Sequence, residues 1–385
     1  MTLPMPPAMA LSAVIPAAGF SSRMHQYKPL LKLGGKPMIE VVIRLFQRCG
    51  ILDIIVVTGH NQDLLNPIVQ KVGARSVFNP DFKTGMLGSI QKGAGQISSK
   101  SRGFFLLPVD IPAIRPVTIQ TLILSFEKSG ENIIIPEFCH TPGHPPLIPA
   151  RLIPKIVSMG SDSNLGKLLL SQDNRLVRHP VHDRGILLDA DTREDYEILA
   201  QKYQQMNIPD KAECQSIIQW VLPGEIALQS HLTRVAETAL KLGHAVERGE
   251  GGIDKTYKKS RLNLDLIQAA ALLHDIKRKE KNHAQAGSRL LKALGFPQVA
   301  DIVAEHMTIQ PGNLITEKEI VYLADKLCHG NRVEPDYTKR FKEKIKQAPD
   351  AEIRIFRRYK AAKQIQACIE AATGQSIRTI LQNTP

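Results

Sequence analysis

Residues 12–24 read Ser-Ala-Val-Ile-Pro-Ala-Ala-Gly-Phe-Ser-Ser-Arg-Met. A short apolar run passes without a break into small residues and a glycine. Unbroken apolarity is what a strand covered on both faces requires. Ala17, Ala18 and Gly19 are small enough to let backbone amides come close to an anion. Ser21, Ser22 and Arg23 add donors, and Lys28, in Lys28-Pro-Leu-Leu31, adds a mobile point charge for phosphate. The string is neither a Walker A loop nor a GxGxxG turn. Working outward, further strands are predicted at 54–58, 104–109, 132–136 and 185–189, with helices such as 38–49 and 62–72 in the gaps. This βαβ rhythm predicts an α/β domain over 10–202, a doubly wound and mostly parallel sheet.

The pattern then changes. Residues 203–223, with Pro209 and Pro223, read as a linker holding a short helix. From Leu228 onward no strand signal survives, which predicts an all-α domain over 224–345 and a helical extension over 346–385. Loops are expected at 249–260 and 308–315. The Lys- and Arg-rich stretch 334–363 is expected to form exposed terminal helices. Several helices of this half carry polar residues on their apolar stripe. Leu228, His231, Val235 and Leu242 share a face, as do Val299, Ile302, Val303 and His306, and Val321, Ala324, Asp325 and Cys328. In LDLIQAAALLHDIKR, 264–278, His274 lies behind Ile267, Ala270 and Ala271. A bare imidazole or carboxylate on a core face costs several kcal/mol, so it is paired or metal-bound. With His283, the residues His231, His274, Asp275, His306 and Asp325 predict one buried metal site.

The net charge of the 385-residue chain is +13. That charge suits polyanionic small molecules such as nucleotides. Aromatic content of 5% and the lack of an RNP or helix-turn-helix cue argue against nucleic acid as a partner. No run of about 18 apolar residues exists, so no membrane span is expected. The N-terminus lacks the positive n-region of a secretion signal and reads as a short tail before the first strand. The five cysteines are widely spaced with no CxxC pair. A reducing cytoplasm is the expected location.

AAGFSSRM followed by KPLL and GGKP resembles the opening signature of the MobA-like nucleotidyltransferases, and within them the molybdenum cofactor cytidylyltransferases. The resemblance continues in order through Thr58-Gly-His60, Asn79 to Ser89, Pro108-Val-Asp-Ile-Pro112, Gly143-His-Pro145, Asp162 to Gly166 and Leu188 to Tyr196. It implies transfer of CMP from CTP, or a nucleotidyl group from another NTP, to a molybdopterin-type or other phosphorylated acceptor. Ala17, Ala18, Gly19, Ser21, Ser22, Arg23, Lys28, Gly59 and Asp110 would bind the nucleotide, with Arg23, Lys28 and Asp110 catalytic. Mg²⁺ needs hard oxygen ligands, and Asp110, Asp189 and Asp191 sit where strand ends would place them. A molybdenum hydroxylase or its maturation factor would be the protein partner. His25, Val109, Ile111 and Arg193 depart from the family's usual residues, and the loop changes bear on the acceptor rather than the reaction. The double alanine before Gly19 resembles the cytidylyl branch.

His231, His274-Asp275 and Asp325 resemble the metal ligands of HD-domain phosphohydrolases, with His283 in an HxxxG turn and His306 after it. Six ligands imply a two-metal centre, with Asp275 also catalytic. Mixed imidazole and carboxylate donors suit Fe, Mn or Zn alike, as one or two ions. Lys277 and Lys326 could reach phosphate. The alternatives are a sugar-phosphate acceptor for the transferase, or a basic nucleotide-sensing protein with inactive cores.

Overall fold

The computed structural model describes residues 10–19, 26–249, 258–259, 261–312 and 314–382. Ser21, Ser22 and Arg23, the first nine residues and most of the 249–260 loop lie outside the described residues. The chain divides into two compact units, 1–206 and 207–385.

The first unit is built on an eight-stranded sheet. Its strands are β1 (Leu11–Pro16), β2 (Asp53–Thr58), β3 (Arg75–Phe78), β4 (Gly103–Leu106), β5 (Ile133–Phe138), β6 (Thr141–Pro142), β7 (Leu147–Pro149) and β8 (Leu176–Pro180). They lie in the order β8-β5-β7-β4-β1-β2-β3, with β6 beside β5. β1 is central, parallel to β2 and β4, while β7 runs antiparallel to β4 and β5. All six residues of β1 are buried, as an unbroken apolar run demands. Helices α1 (Met38–Arg48), α2 (Gln62–Lys71), α3 (Met86–Ala94) and α4 (Pro116–Lys128) fill the gaps between strands. A fifth, α5 (Arg193–Gln204), starts on a capping box between Thr192 and Asp195. The fold is the expected α/β layering with a mostly parallel sheet.

The strand expected at 185–189 does not form. Residues Arg184–Leu187 make one 3-10 turn, capped by the Asp183 side chain on the Gly185 amide. The run is apolar because Ile186 is buried, not because it pairs. The sheet ends instead on β8, which is parallel to β5.

In the second unit, α6 (Lys211–Val221), α7 (Ile226–Arg248), α8 (Leu264–Leu273), α9 (His283–Ala293), α10 (Pro297–Glu305), α11 (Glu317–Leu327), α12 (Thr338–Gln347) and α13 (Glu352–Thr373) share one apolar core. The segment expected as a linker thus contains α6, whose Cys214, Ile217 and Ile218 sit in that core. The stretch expected to stand exposed contributes Tyr337, Phe341, Ala361 and Ala362 to it. The Lys and Arg residues between them hide a sparse apolar stripe. Among the described residues no helix is long and apolar enough to cross a membrane. All five cysteines are free.

Candidate functional sites

The chain leaves β1 at a cavity of about 240 Å³ lined by Ala17, Ala18, Gly19, Lys28, Ser89 and Asp110 among others. Backbone bonds fix this mouth. The Ala17 amide donates to the Val57 carbonyl at 2.9 Å, and the Tyr27 hydroxyl donates to the His60 carbonyl at 2.8 Å. Gly59 is required by space, since a Cβ there would stand 2.7 Å from the Phe82 side chain and 2.9 Å from Ala18. Lys28 Nζ donates to Asp191 Oδ1 at 2.7 Å and to Asp110 Oδ2 at 3.2 Å. Two carboxylates 81 positions apart in sequence therefore converge on one cation. Burial works against the Lys28 charge, but the hydrogen bond to Asp191 and the nearby Asp110 carboxylate outweigh it and raise its pKa. Asp189 is pushed up by burial and by its neighbours Asp191 and Asp110. Among the described residues Asp110, Asp189 and Asp191 do not close into a three-ligand cluster.

A buried ion pair holds the two acidic loops together, and nothing in the sequence pattern had pointed to it. Asp183 accepts from the Arg115 amide (2.8 Å), Arg115 Nη1 (2.8 Å), Thr118 Oγ1 (2.6 Å) and the Gly185 amide (3.1 Å). Both side chains are almost fully buried. The Ala190 amide then donates to the Asp110 carbonyl at 3.1 Å, bringing the Asp189–Asp191 loop beside Asp110. Arg115 and Asp183 are positioning residues.

In the helical unit all six expected ligands converge. They form two groups whose ligand atoms lie within 4.8 Å of one another: His231, His274 and Asp325, and Asp275, His283 and His306. The adjacent pair His274-Asp275, just past the end of α8, gives one ligand to each. His231 comes from α7, Asp325 from α11, His283 from the start of α9 and His306 from the end of α10. His231, His274 and His306 each place Nδ1 2.7 to 2.9 Å from a backbone carbonyl, of Gly330, Ala271 and Val303 respectively. A carbonyl only accepts, so each Nδ1 carries a hydrogen and each ring turns its Nε2 to the centre. Those Nε2 atoms face carboxylate oxygens. His306 Nε2 and His283 Nε2 are each 3.2 Å from Asp275 Oδ1, yet none of these three buried atoms, nor His274 Nε2, has a hydrogen-bond partner.

Orphaned acceptors converging in a buried site are what a cation would satisfy. The residues present fit divalent metal, two ions sharing the His274-Asp275 hinge. Burial lowers the His306 pKa and outweighs the nearby Asp275 carboxylate, so that ring stays neutral as a ligand must. Asp325 is held well below the usual carboxylate range; burial opposes this, and the Lys326 ammonium at 2.5 Å overcomes it. Lys277 pairs with Glu280 instead and does not line the cavity.

Two loop carboxylates meeting on one lysine at the mouth of a cleft mark the α/β unit, and two groups of metal-ligand side chains mark the helical unit. Residues 13–176 match the MobA-like NTP transferase domain and residues 228–329 match the HD domain. The chain joins a MobA-like nucleotidyltransferase domain to an HD domain. Molybdenum cofactor cytidylyltransferase of Escherichia coli (strain K12) is 26% identical over 199 residues, 51% of this chain and 99% of that protein. The probable molybdenum cofactor guanylyltransferase of Natranaerobius thermophilus is 33% identical over 126 residues, 33% of this chain and 60% of that protein. The crystal structure of Rv0371c from Mycobacterium tuberculosis H37Rv covers 51% of this chain and all of its own at 21% identity, with a TM-score of 0.45.

Proposed function

We propose that the N-terminal unit transfers CMP from CTP to a molybdopterin-type acceptor and releases pyrophosphate, and that the HD unit is a metal-dependent phosphohydrolase. The observation that carries the first half is the convergence of Asp110 and Asp191 on Lys28 at the mouth of the cavity. An acceptor phosphate oxygen attacks the α-phosphorus, and the bond to the β-phosphate oxygen breaks. Lys28 meets the charge that develops on the leaving pyrophosphate, with Arg23 as a second cation. Ala17, Ala18 and Gly19, with Gly59 beside them, bring backbone close to the phosphates. Asp110 and Asp191 would hold magnesium, with Asp189 close by; when bound it supplies charge neutralisation at the phosphate oxygens. The cytidylyl choice draws support from the Escherichia coli relative, which is matched along 99% of its length.

In the HD unit, the two ligand groups would hold two transition ions, Fe, Mn or Zn. When bound these supply the charge that acidifies water and polarises a phosphate. The chain's part is to fix the imidazole tautomers through their Nδ1 bonds and to keep Lys326 beside Asp325. Action in the cytoplasm, next to a molybdenum hydroxylase or its maturation factor, follows from the acceptor.

The test is pyrophosphate release from CTP, GTP and ATP with reduced molybdopterin, and separately with a sugar phosphate, as acceptor. Release with CTP and molybdopterin alone is the expected result. Release only with the sugar phosphate would move the acceptor, and no release with any pair would overturn the transferase reading.

A further inference from the structure

We propose that the cavity over the HD centre has a second phosphate subsite, made by Lys344 of α12 and Arg358 of α13, and so takes a nucleoside diphosphate rather than a simple monophosphate. This rests on the phosphohydrolase reading only in placing one phosphate against the two ligand groups.

The cavity, about 520 Å³, is large enough for a nucleotide. Cations dominate its wall: Arg278, Lys279, Lys326, Arg340, Lys344 and Arg358 face it, against Glu225 and Asp325. Most of these cations are engaged. Arg278 pairs with Asp275, Lys279 with Glu225 at 2.5 Å, and Lys326 with Asp325 at 2.5 Å. Arg340 donates to the Cys328 and Lys326 carbonyls. Lys344 and Arg358 differ, since neither has a carboxylate within ion-pair distance among the described residues. Arg358 Nε is buried with no hydrogen-bond partner. The side-chain field around Lys344 makes matters worse: burial, then Arg340 and Lys326, push its pKa down.

Cations that line one cavity without a carboxylate partner are unfavourable unless an anion comes to them. A fork and a point charge together suit one phosphate. Leu228, Met307, Phe341 and Ile355 line the same cavity and give an organic body an apolar surface. Lys344 and Arg358 lie beyond residue 329, outside the stretch matched to the HD domain, so this subsite belongs to the C-terminal helices of this chain.

The experiment is lysine footprinting of the whole protein. Acetylation of Lys344 is followed by mass spectrometry with no ligand, with CMP and with CDP. At a CDP concentration ten times its dissociation constant, the Lys344 rate should fall about tenfold. CMP at the same concentration should leave it nearly unchanged, and Arg358→Gln should abolish the protection while Arg358→Lys restores part of it. Equal protection by CMP and CDP, or none by CDP, would overturn the subsite. Lys28 reports separately on the transferase cleft. The readout needs no turnover, so a protein without phosphohydrolase activity but with CDP-protected Lys344 sinks the hydrolase reading alone. Phosphate release with Lys344 unprotected sinks this subsite alone.

Discussion

Replacing Asp183 by alanine should be the most damaging single change in the transferase unit outside the cleft itself. Asp183 and Arg115 are 2% and 3% exposed, so neither can be resolvated when its partner goes. The alanine removes acceptors for the Arg115 and Gly185 amides, for Arg115 Nη1 and for Thr118 Oγ1. Removing one partner of a buried ion pair costs about 3–5 kcal/mol, because the remaining charge is stranded. Thr118→Val removes one bond to the same carboxylate and should cost about 1–2 kcal/mol. The assay is amide hydrogen exchange on the full chain. At about 1.4 kcal/mol per decade, strands β1, β2 and β4 should exchange about 10²- to 4 × 10³-fold faster in Asp183→Ala, while helices α7 to α11 keep their protection. Turnover of CTP should fall as well, because the Ala190–Asp110 bond loses its support. A loss no larger than that of Thr118→Val, or one spread equally over both units, would refute the reasoning.

Three further outcomes are expected. Elemental analysis of protein purified without chelator should find about two transition ions per chain, and His274→Ala with Asp275→Ala should lose them, since one residue serves each ligand group; undiminished metal would exclude the centre. Asp53→Asn should destabilise by about 1–2 kcal/mol at pH 7, with the difference shrinking in acid. Burial raises the Asp53 pKa, but bonds from Ser12 and Ser98 and the Arg75 guanidinium lower it further, so its contribution is present above the ordinary carboxylate value and is lost as pH falls through the folded one; denaturant melts at pH 7 and pH 3 that differ by the same amount would contradict this. Gly185→Ala should disrupt the acidic loop, because a Cβ there would stand 1.8 Å from the Ala113 carbonyl oxygen and backbone must move; an unchanged melting temperature would refute it.

What could be read from sequence, and what could not, follows from whether a residue's role depends on itself or on a distant partner. β1 and its glycine turn are local: an apolar run into small residues means the same thing wherever it packs. Four of the HD ligands, His231, His274, His306 and Asp325, were visible because each breaks an apolar stripe, a violation that needs no knowledge of the others; Asp275 was visible as the neighbour of His274, and His283 through its HxxxG turn. The failures share the opposite cause. Residues 185–189 look like a strand because Ile186 is buried, yet Arg184–Leu187 form a 3-10 turn that packs beside Gly143 and Ala113 without pairing as a strand. Arg115 and Asp183 are 68 positions apart, and no spacing rule links them. Lys344 and Arg358 vanish into a basic stretch that reads as solvated surface, because a cation facing a cavity and one facing water have the same local pattern. The same logic says where in this chain unrecognised function should be sought: among charged residues with ordinary sequence surroundings whose counter-charge is missing from the fold. In the helical unit that criterion selects Arg358, whose buried Nε has no acceptor and which, unlike Arg340 with Glu334, has no carboxylate within ion-pair distance among the described residues on the wall of the metal-site cavity.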